Sequence, residues 1–188
     1  LIDNIKRQKE HNAIPFFSLD KNIVGESINS KLNKITKYLK KNKCDYIFIS
    51  APENVAWTLN IRGGDGPNSP IPNSRLIVSK SKKILFISNL KKCKQLLKNK
   101  ILKKDEFLDI NTLPSKIQHL KGKNFIVDDK SCSIFYENLI KSKFKIIKRE
   151  DPIYLLKAIK NKTEIKNMIN AHILDGVALT KFLFWIKK

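Results

Sequence analysis

Apolar residues along this chain switch between two spacings. After Gly25-Glu26-Ser27, Ile28, Leu32, Ile35 and Leu39 recur four, three and four apart, which predicts an amphipathic helix to about Asn42. Tyr46-Ile47-Phe48-Ile49 is a short apolar run, the mark of a buried strand. Pro52 stands at the first turn of a second helix, through Val55, Ala56, Trp57 and Leu59, which the Arg62-Gly63-Gly64-Asp65-Gly66-Pro67 stretch breaks. Arg75 to Ser79 and Lys83 to Ser88 read as strands of a hairpin turning at Lys80-Ser81-Lys82.

Downstream the alternation continues. A helix through Leu90, Cys93, Leu96 and Leu97 precedes a weak strand at Phe107 to Ile110, and a short helix from Leu113 to Leu120 leads through a Lys121-Gly122 turn to a strand at Phe125 to Val127. A helix through Ile134, Phe135, Leu139 and Ile140 and a strand from Phe144 to Lys148 follow. This alternation predicts an α/β fold with helices flanking one central sheet, mixed because of the hairpin.

The two ends read differently. Residues to about Val24 are polar and weakly periodic, with Pro15 in their middle, and are expected to be a linker. From Thr163, in the N-cap position, apolar residues run at helical spacing to Lys188. Phe182 to Ile186 are consecutive and occupy every side of that helix, so it needs a partner surface, either a following domain or a second copy in a homodimer.

Composition then narrows the class. With 188 residues, 41% hydrophobic, and only Gly 6 and Pro 7, the chain can bury a core and is neither a disulfide miniprotein nor a fibre. Lys+Arg 38 against Asp+Glu 17 gives +21, which points toward nucleic acid. Arginine, the residue suited to bidentate phosphate contacts, occurs only at positions 7, 62, 75 and 149. A solvated lysine coat is therefore the first reading and a basic interaction or nucleic-acid-binding module the alternative.

Cys44, Cys93 and Cys132 are odd in number and widely spaced, and read as reduced thiols. His11, His119 and His172 stand apart from any ligand spacing, so no metal site within the chain is expected. No apolar run approaches the roughly 18 residues of a membrane span. These features fit a cytoplasmic protein without membrane contact.

One loop looks built for function. Ile61 to Asn68 is glycine-rich but lacks the phosphate-loop pattern and follows a helix. It reads either as a tight turn fixed by an Arg62–Asp65 pair, with glycines supplying positive φ, or as a ligand or partner contact. Asp128-Asp129, at a strand end, reads as a turn or cap in preference to a metal site. No serine is tied to a base, and no catalytic residue is expected.

Resemblance supplies what these patterns leave open. Ala51 to Asp65, reading APENVAWTLNIRGGD, resembles the "DEIAWLLNLRGSD" segment of Xaa-Pro aminopeptidases (aminopeptidase P) in the creatinase/prolidase superfamily. Asp151-Pro152-Ile153, Leu156 to Asn161, Met168, Ala171-His172-Ile173, Asp175 to Leu179 and Trp185 resemble the family's junction between its middle and catalytic domains. Gly25-Glu26-Ser27 resembles the entry to the middle domain.

The resemblance implies a linker at 1–24, a creatinase N-terminal-like middle domain at 25–150, and at 151–188 the junction and first helix of a C-terminal pita-bread catalytic domain. It implies hydrolysis of peptides with proline in second position at two divalent manganese ions, which would polarise the scissile carbonyl and activate a water. Their ligands would lie outside this chain, which would be inactive alone, with its own flanking domains as partners. Arg62, Gly63 and Asp65 would line the substrate pocket or a domain interface, and Trp57 would be structural. Thr58 departs from the family's apolar residue, and Gly64 and Gly66 loosen the loop. A prolidase, a creatinase or a catalytically dead paralogue remains the sister reading.

Overall fold

The computed structural model of the chain describes residues 14–66 and 68–187. His11 and Arg7 lie outside them. Eight strands and eight α-helices are described, in the order β1 (Phe17–Ser18), α1 (Lys21–Val24), α2 (Ile28–Lys41), β2 (Tyr46–Ile49), α3 (Pro52–Leu59), β3 (Ile61–Arg62), β4 (Arg75–Ser79) and β5 (Ile84–Ile87). Then follow α4 (Lys94–Lys98), β6 (Phe107–Leu108), α5 (Leu113–His119), β7 (Asn124–Val127), α6 (Ile134–Lys141), β8 (Lys145–Lys148), α7 (Ile153–Ala158) and α8 (Lys162–Ile186).

Six strands form one mixed sheet in the order β6-β5-β4-β2-β7-β8. The β4–β5 hairpin and the β2–β4 pair are antiparallel, while β2–β7, β7–β8 and β5–β6 are parallel. Strand alternation divides the core in two. Ile47, Ile49, Leu76, Val78 and Ile126 face Leu32, Ile35, Leu39, Val55 and Leu59 of α2 and α3. Phe48, Ile77, Phe125 and Val127 face Leu113, Ile117 and Ile140 of α5 and α6. Helices thus cover both faces, which is why these strands carry no polar alternation.

The ends depart from the expectation. Phe16 is fully buried against Phe86, with ring centroids 6.3 Å apart, and β1 pairs with β3 in a small second sheet. From Phe16 onward the stretch expected to be a linker is packed on the body. The N-cap of α8 is Asn161, whose Oδ1 accepts from Thr163 N and Glu164 N at 2.9 and 3.0 Å; Thr163 is already inside the helix. Helix α7 was not legible as a separate element, because its six residues complete too few turns to show a period.

Helix α8 spans 25 residues with none buried. Among the described residues it is the one helix long and apolar enough, by length and composition, to cross a membrane. The expectation concerned uninterrupted apolar runs, and polar and charged residues interrupt α8. It carries His172, Asp175 and Lys181 within that length.

Candidate functional site

What ends α3 aims the loop after it. Asn60 takes a left-handed conformation, φ 53° and ψ 38°, and its N–H donates to Ala56 O and Trp57 O. Its side chain is held from two sides, Nδ2 donating to Glu26 O at 2.9 Å and Oδ1 accepting from Lys31 Nζ at 2.6 Å. The chain then enters β3, where Arg62 lies opposite Phe17.

Gly63 and Gly64 serve close approach. A Cβ on Gly63 would lie 2.6 Å from Phe16 Cδ1, and one on Gly64 2.7 Å from Ile14 Cδ1. Neither has the positive φ expected from the sequence, which among described glycines belongs to Gly25 and Gly122. The glycines instead let the amino-terminal segment close over the loop. Gly63 N–H also donates to Pro70 O at 3.0 Å.

The expected Arg62–Asp65 pair is not formed. The Asp65 carboxylate pairs with Lys92, which the turn after β5 presents, and accepts from Asn73 N at 2.5 Å. Arg62 Nη1 donates to the carbonyl of Ile61 at 2.8 Å, and burial lowers its pKa. Asp65, beyond the glycines, turns toward Lys92 instead. Arg62, Gly63 and Asp65 therefore share one braced loop without forming one contact.

Beside the loop lies a polar junction that sequence reasoning missed. Lys31 is 1% exposed and donates to Trp57 O at 2.7 Å as well as to Asn60 Oδ1. Burial pulls its pKa down to about 8, opposed by Glu164 and Glu26. Trp57 is half-buried, and its Nε1 reaches Glu164 Oε1 of α8 at 3.4 Å. Lys31 stands three after Ile28 and four before Ile35, on the apolar face of α2 beside Leu32, and a lysine at that spacing is the signal in the sequence.

A second cluster ties α7 to the sheet. Asp151 accepts from Ile153 N at 2.9 Å and Asn54 Nδ2 at 2.8 Å, and its own N–H donates to Asp128 Oδ2 at 3.0 Å. Lys157 Nζ donates to Asn54 Oδ1 at 2.6 Å. Burial pushes the Asp151 carboxyl up to about 6. Asp128 also accepts from Lys130 N at 3.0 Å, a turn role, while Asp129 is exposed and 3.7 Å from Lys148.

None of this is a metal site. Among the described residues no three or more His, Cys, Asp or Glu side chains converge as a metal would require, and Asp128 and Asp151 are engaged by N–H donors. Cys44, Cys93 and Cys132 are free, and burial raises each thiol, Cys93 to about 12 and Cys132 to about 11. Such thiols are poor nucleophiles. What the arrangement can do is hold the Arg62 to Asp65 loop and the start of α8 rigidly against one body.

Comparison with known proteins fits that arrangement. The family model described as Creatinase/Prolidase N-terminal domain matches residues 7–164. Xaa-Pro aminopeptidase 1 of Dictyostelium discoideum is 34% identical over 203 residues, covering 100% of this chain and 31% of the relative. Xaa-Pro aminopeptidase ApepP of Drosophila melanogaster is 32% identical over 171 residues, covering 87% and 27%. Among solved structures, X-prolyl aminopeptidase from Caenorhabditis elegans, described as a cytosolic enzyme with a di-nuclear active site, superposes with a TM-score of 0.82 at 23% identity, covering 100% of this chain and 32% of that one. Xaa-Pro dipeptidase from Bacillus anthracis shares the fold over 74% of this chain and 38% of its own, with a TM-score of 0.54 at 15% identity. The chain spans about a third of the length of the first of these relatives.

Proposed function

The chain belongs to the Creatinase/Prolidase N-terminal domain family, and we propose that it is the non-catalytic middle domain of a metal-dependent Xaa-Pro aminopeptidase. In this reading the segment before Phe16 enters from a preceding domain, residues 16–24 pack on the middle domain formed by 25–150, and 151–188 are the junction and first helix of the catalytic domain. The longer protein removes an N-terminal residue that precedes proline, in the cytoplasm, using two divalent manganese ions held by residues outside this chain. The groups present here do not fit a metal, so no step of the reaction is assigned to them.

The observation that supports this reading most is the joint bracing of two segments. Lys31 and Trp57 hold the end of α3 that leads to Arg62, and Trp57 also touches the Glu164 cap of α8. The Arg62 to Asp65 loop and the helix leading into the next domain are thereby fixed relative to each other. A tertiary X-Pro amide has no N–H to offer a backbone-binding protease, so its recognition depends on a shaped wall. In our reading, this loop forms part of that wall.

The test uses the longer protein. Purified with its downstream domain, it is expected to release the first residue of Xaa-Pro-Xaa tripeptides, to lose that activity with a chelator and to regain it with manganese. The 188-residue chain alone is expected to release none. Activity confined to Xaa-Pro dipeptides would make it a prolidase instead, and cleavage by the chain alone would overturn the non-catalytic assignment.

A further inference from the structure

Four loops meet at one end of the central sheet. They precede β2, β7 and β8 and form the β4–β5 turn, and they are stitched together around Asp45. The Asp45 carboxylate accepts from Lys123 N at 2.7 Å and Asn124 N at 3.1 Å and pairs with Lys80 at 2.6 Å, which holds it down to about 2. Asn124 Nδ2 donates to Lys43 O at 3.2 Å, Lys145 N to Lys123 O at 2.9 Å, and Tyr46 Oη to Lys121 O at 2.8 Å.

These loops are dense in lysine. Lys40, Lys41 and Lys43 precede β2, and Lys80, Lys82 and Lys83 form the hairpin turn. Lys121 and Lys123 precede β7, and Lys141, Lys143 and Lys145 lead into β8. Lysine makes up 11 of the 18 residues in segments 40–45, 80–83, 121–123 and 141–145, against fewer than one in five in the chain, and Asp45 is their single carboxylate. All but Lys82 are exposed. The opposite ends of β2, β7 and β8 carry Glu53, Asp128, Asp129, Glu150 and Asp151 beside Lys130, Lys148 and Arg149, and so hold only a small net negative charge. The charge is thus polarised along the sheet, which a uniform lysine coat would not produce. Favourable ends of helix dipoles account for Lys40, Lys41 and Lys141 in the last turns of α2 and α6, but not for the hairpin or the β7 loop.

We propose that this lysine crown is a binding surface for the phosphate backbone of nucleic acid. Lysine is a point charge suited to phosphate, and with no arginine in these loops the contact is independent of sequence. The aromatic rings here, Tyr46 and Phe144, pack on each other and on Phe125 inside the core and offer no base-stacking platform. That favours a duplex over a single strand. No large apolar side chain is exposed on these loops, so nothing there would enter a bilayer, which sets nucleic acid ahead of an anionic membrane.

Fluorescence anisotropy with a 20-base-pair mixed-sequence RNA duplex, titrated with the 188-residue chain between 50 and 300 mM KCl, tests this. The expected result is binding at 50 mM that weakens linearly in log–log form, as for release of about five counterions. The quadruple variant K43Q/K83Q/K123Q/K145Q is expected to bind at least tenfold more weakly, with a slope shallower by about 3. K91Q/K94Q/K98Q/K104Q, with the same loss of charge on exposed lysines elsewhere, is expected to retain most of the affinity. Both variants are compared only with circular dichroism matching the parent; if the first fails to fold, single reversals at Lys83 and Lys123 replace it. Equal weakening by the two quadruple sets, absence of binding at 50 mM, or tighter binding to vesicles with 30% phosphatidylserine than to the duplex would each overturn the proposal.

Discussion

The ammonium of Lys31 sits 3.9 Å from the centre of the Trp57 ring while donating to that residue's carbonyl oxygen at 2.7 Å. A buried cation is costly unless its donors are used, and here two carbonyl-type oxygens and an aromatic face receive it. The arrangement links α2, the left-handed end of α3 and, through Trp57 and Glu164, the cap of α8.

Replacing Lys31 with Met leaves Trp57 O and Asn60 Oδ1 without their donor, at a cost of about 1–3 kcal/mol near neutral pH. The folded-state pKa near 8 lies below the ordinary lysine value of 10.5, so between these values the unfolded chain binds more protons and this group's stability contribution rises with pH. Urea midpoints taken from pH 7.5 to 10 are therefore expected to show the gap between parent and K31M widening. Parallel pH curves would mean that Lys31 is not desolvated as the geometry requires.

Asp151 gives the opposite sign. Its folded pKa near 6 lies above the ordinary aspartate value of 3.8, so its contribution is fully present below about 4 and is lost as pH rises through 6. Two pKa units correspond to about 3 kcal/mol at most. The Asp151→Asn variant keeps an acceptor for Ile153 N and cannot ionise. Its urea midpoint relative to the parent is expected to climb between pH 4 and 6.5 and then level off, and a flat difference would contradict a buried, ionising carboxylate.

The expectations that succeeded rest on periodicity over enough residues. Helix α2 and the hairpin stand where their spacing put them, because one apolar stripe or one short turn decides each. The loop failed in its details for a physical reason. Arg62 and Asp65 are near in sequence, but the partner of Asp65 is Lys92, supplied by a distant turn that no local pattern announces. Gly63 and Gly64 owe their identity to Phe16 and Ile14, which lie in a segment too polar and too short of period to be read as packed. Lys31 was missed because Leu32 beside it keeps the apolar stripe of α2 intact, and the Asp151–Asn54 bond because it joins residues 97 positions apart.

Gly63→Ala probes that packing directly. The new Cβ would press on the ring of Phe16, which is fully buried and has little room to shift. A loss of about 1–3 kcal/mol is expected, the usual range for an overpacked site. Phe16→Leu in the same background should recover part of it by vacating ring volume. An unchanged melting temperature in G63A would show that residues near 16 detach easily and do not brace the loop.

The last prediction concerns α8. Its capped start is tied down, with Asn161 Nδ2 donating to Val24 O at 2.8 Å and Asn167 Nδ2 to Ile23 O at 3.0 Å, and a Cβ on Gly25 would strike Asn161. Beyond that point Ile173, Leu174, Leu179, Phe182, Leu183, Phe184, Trp185 and Ile186 are all exposed by half or more. Contiguous apolar surface of that extent is rarely left to water, so in the 188-residue chain these residues are expected to seek one another across two copies. Sedimentation velocity from 1 to 100 μM should show concentration-dependent association. Ending the chain after Asn167 keeps every one of the tethers and removes the exposed residues. It is expected to abolish association while moving the unfolding free energy by less than about 1 kcal/mol, since no residue of α8 is buried. A large loss of stability on truncation would place α8 inside this domain, and a monomer at all concentrations would remove the case for a homodimer through this helix.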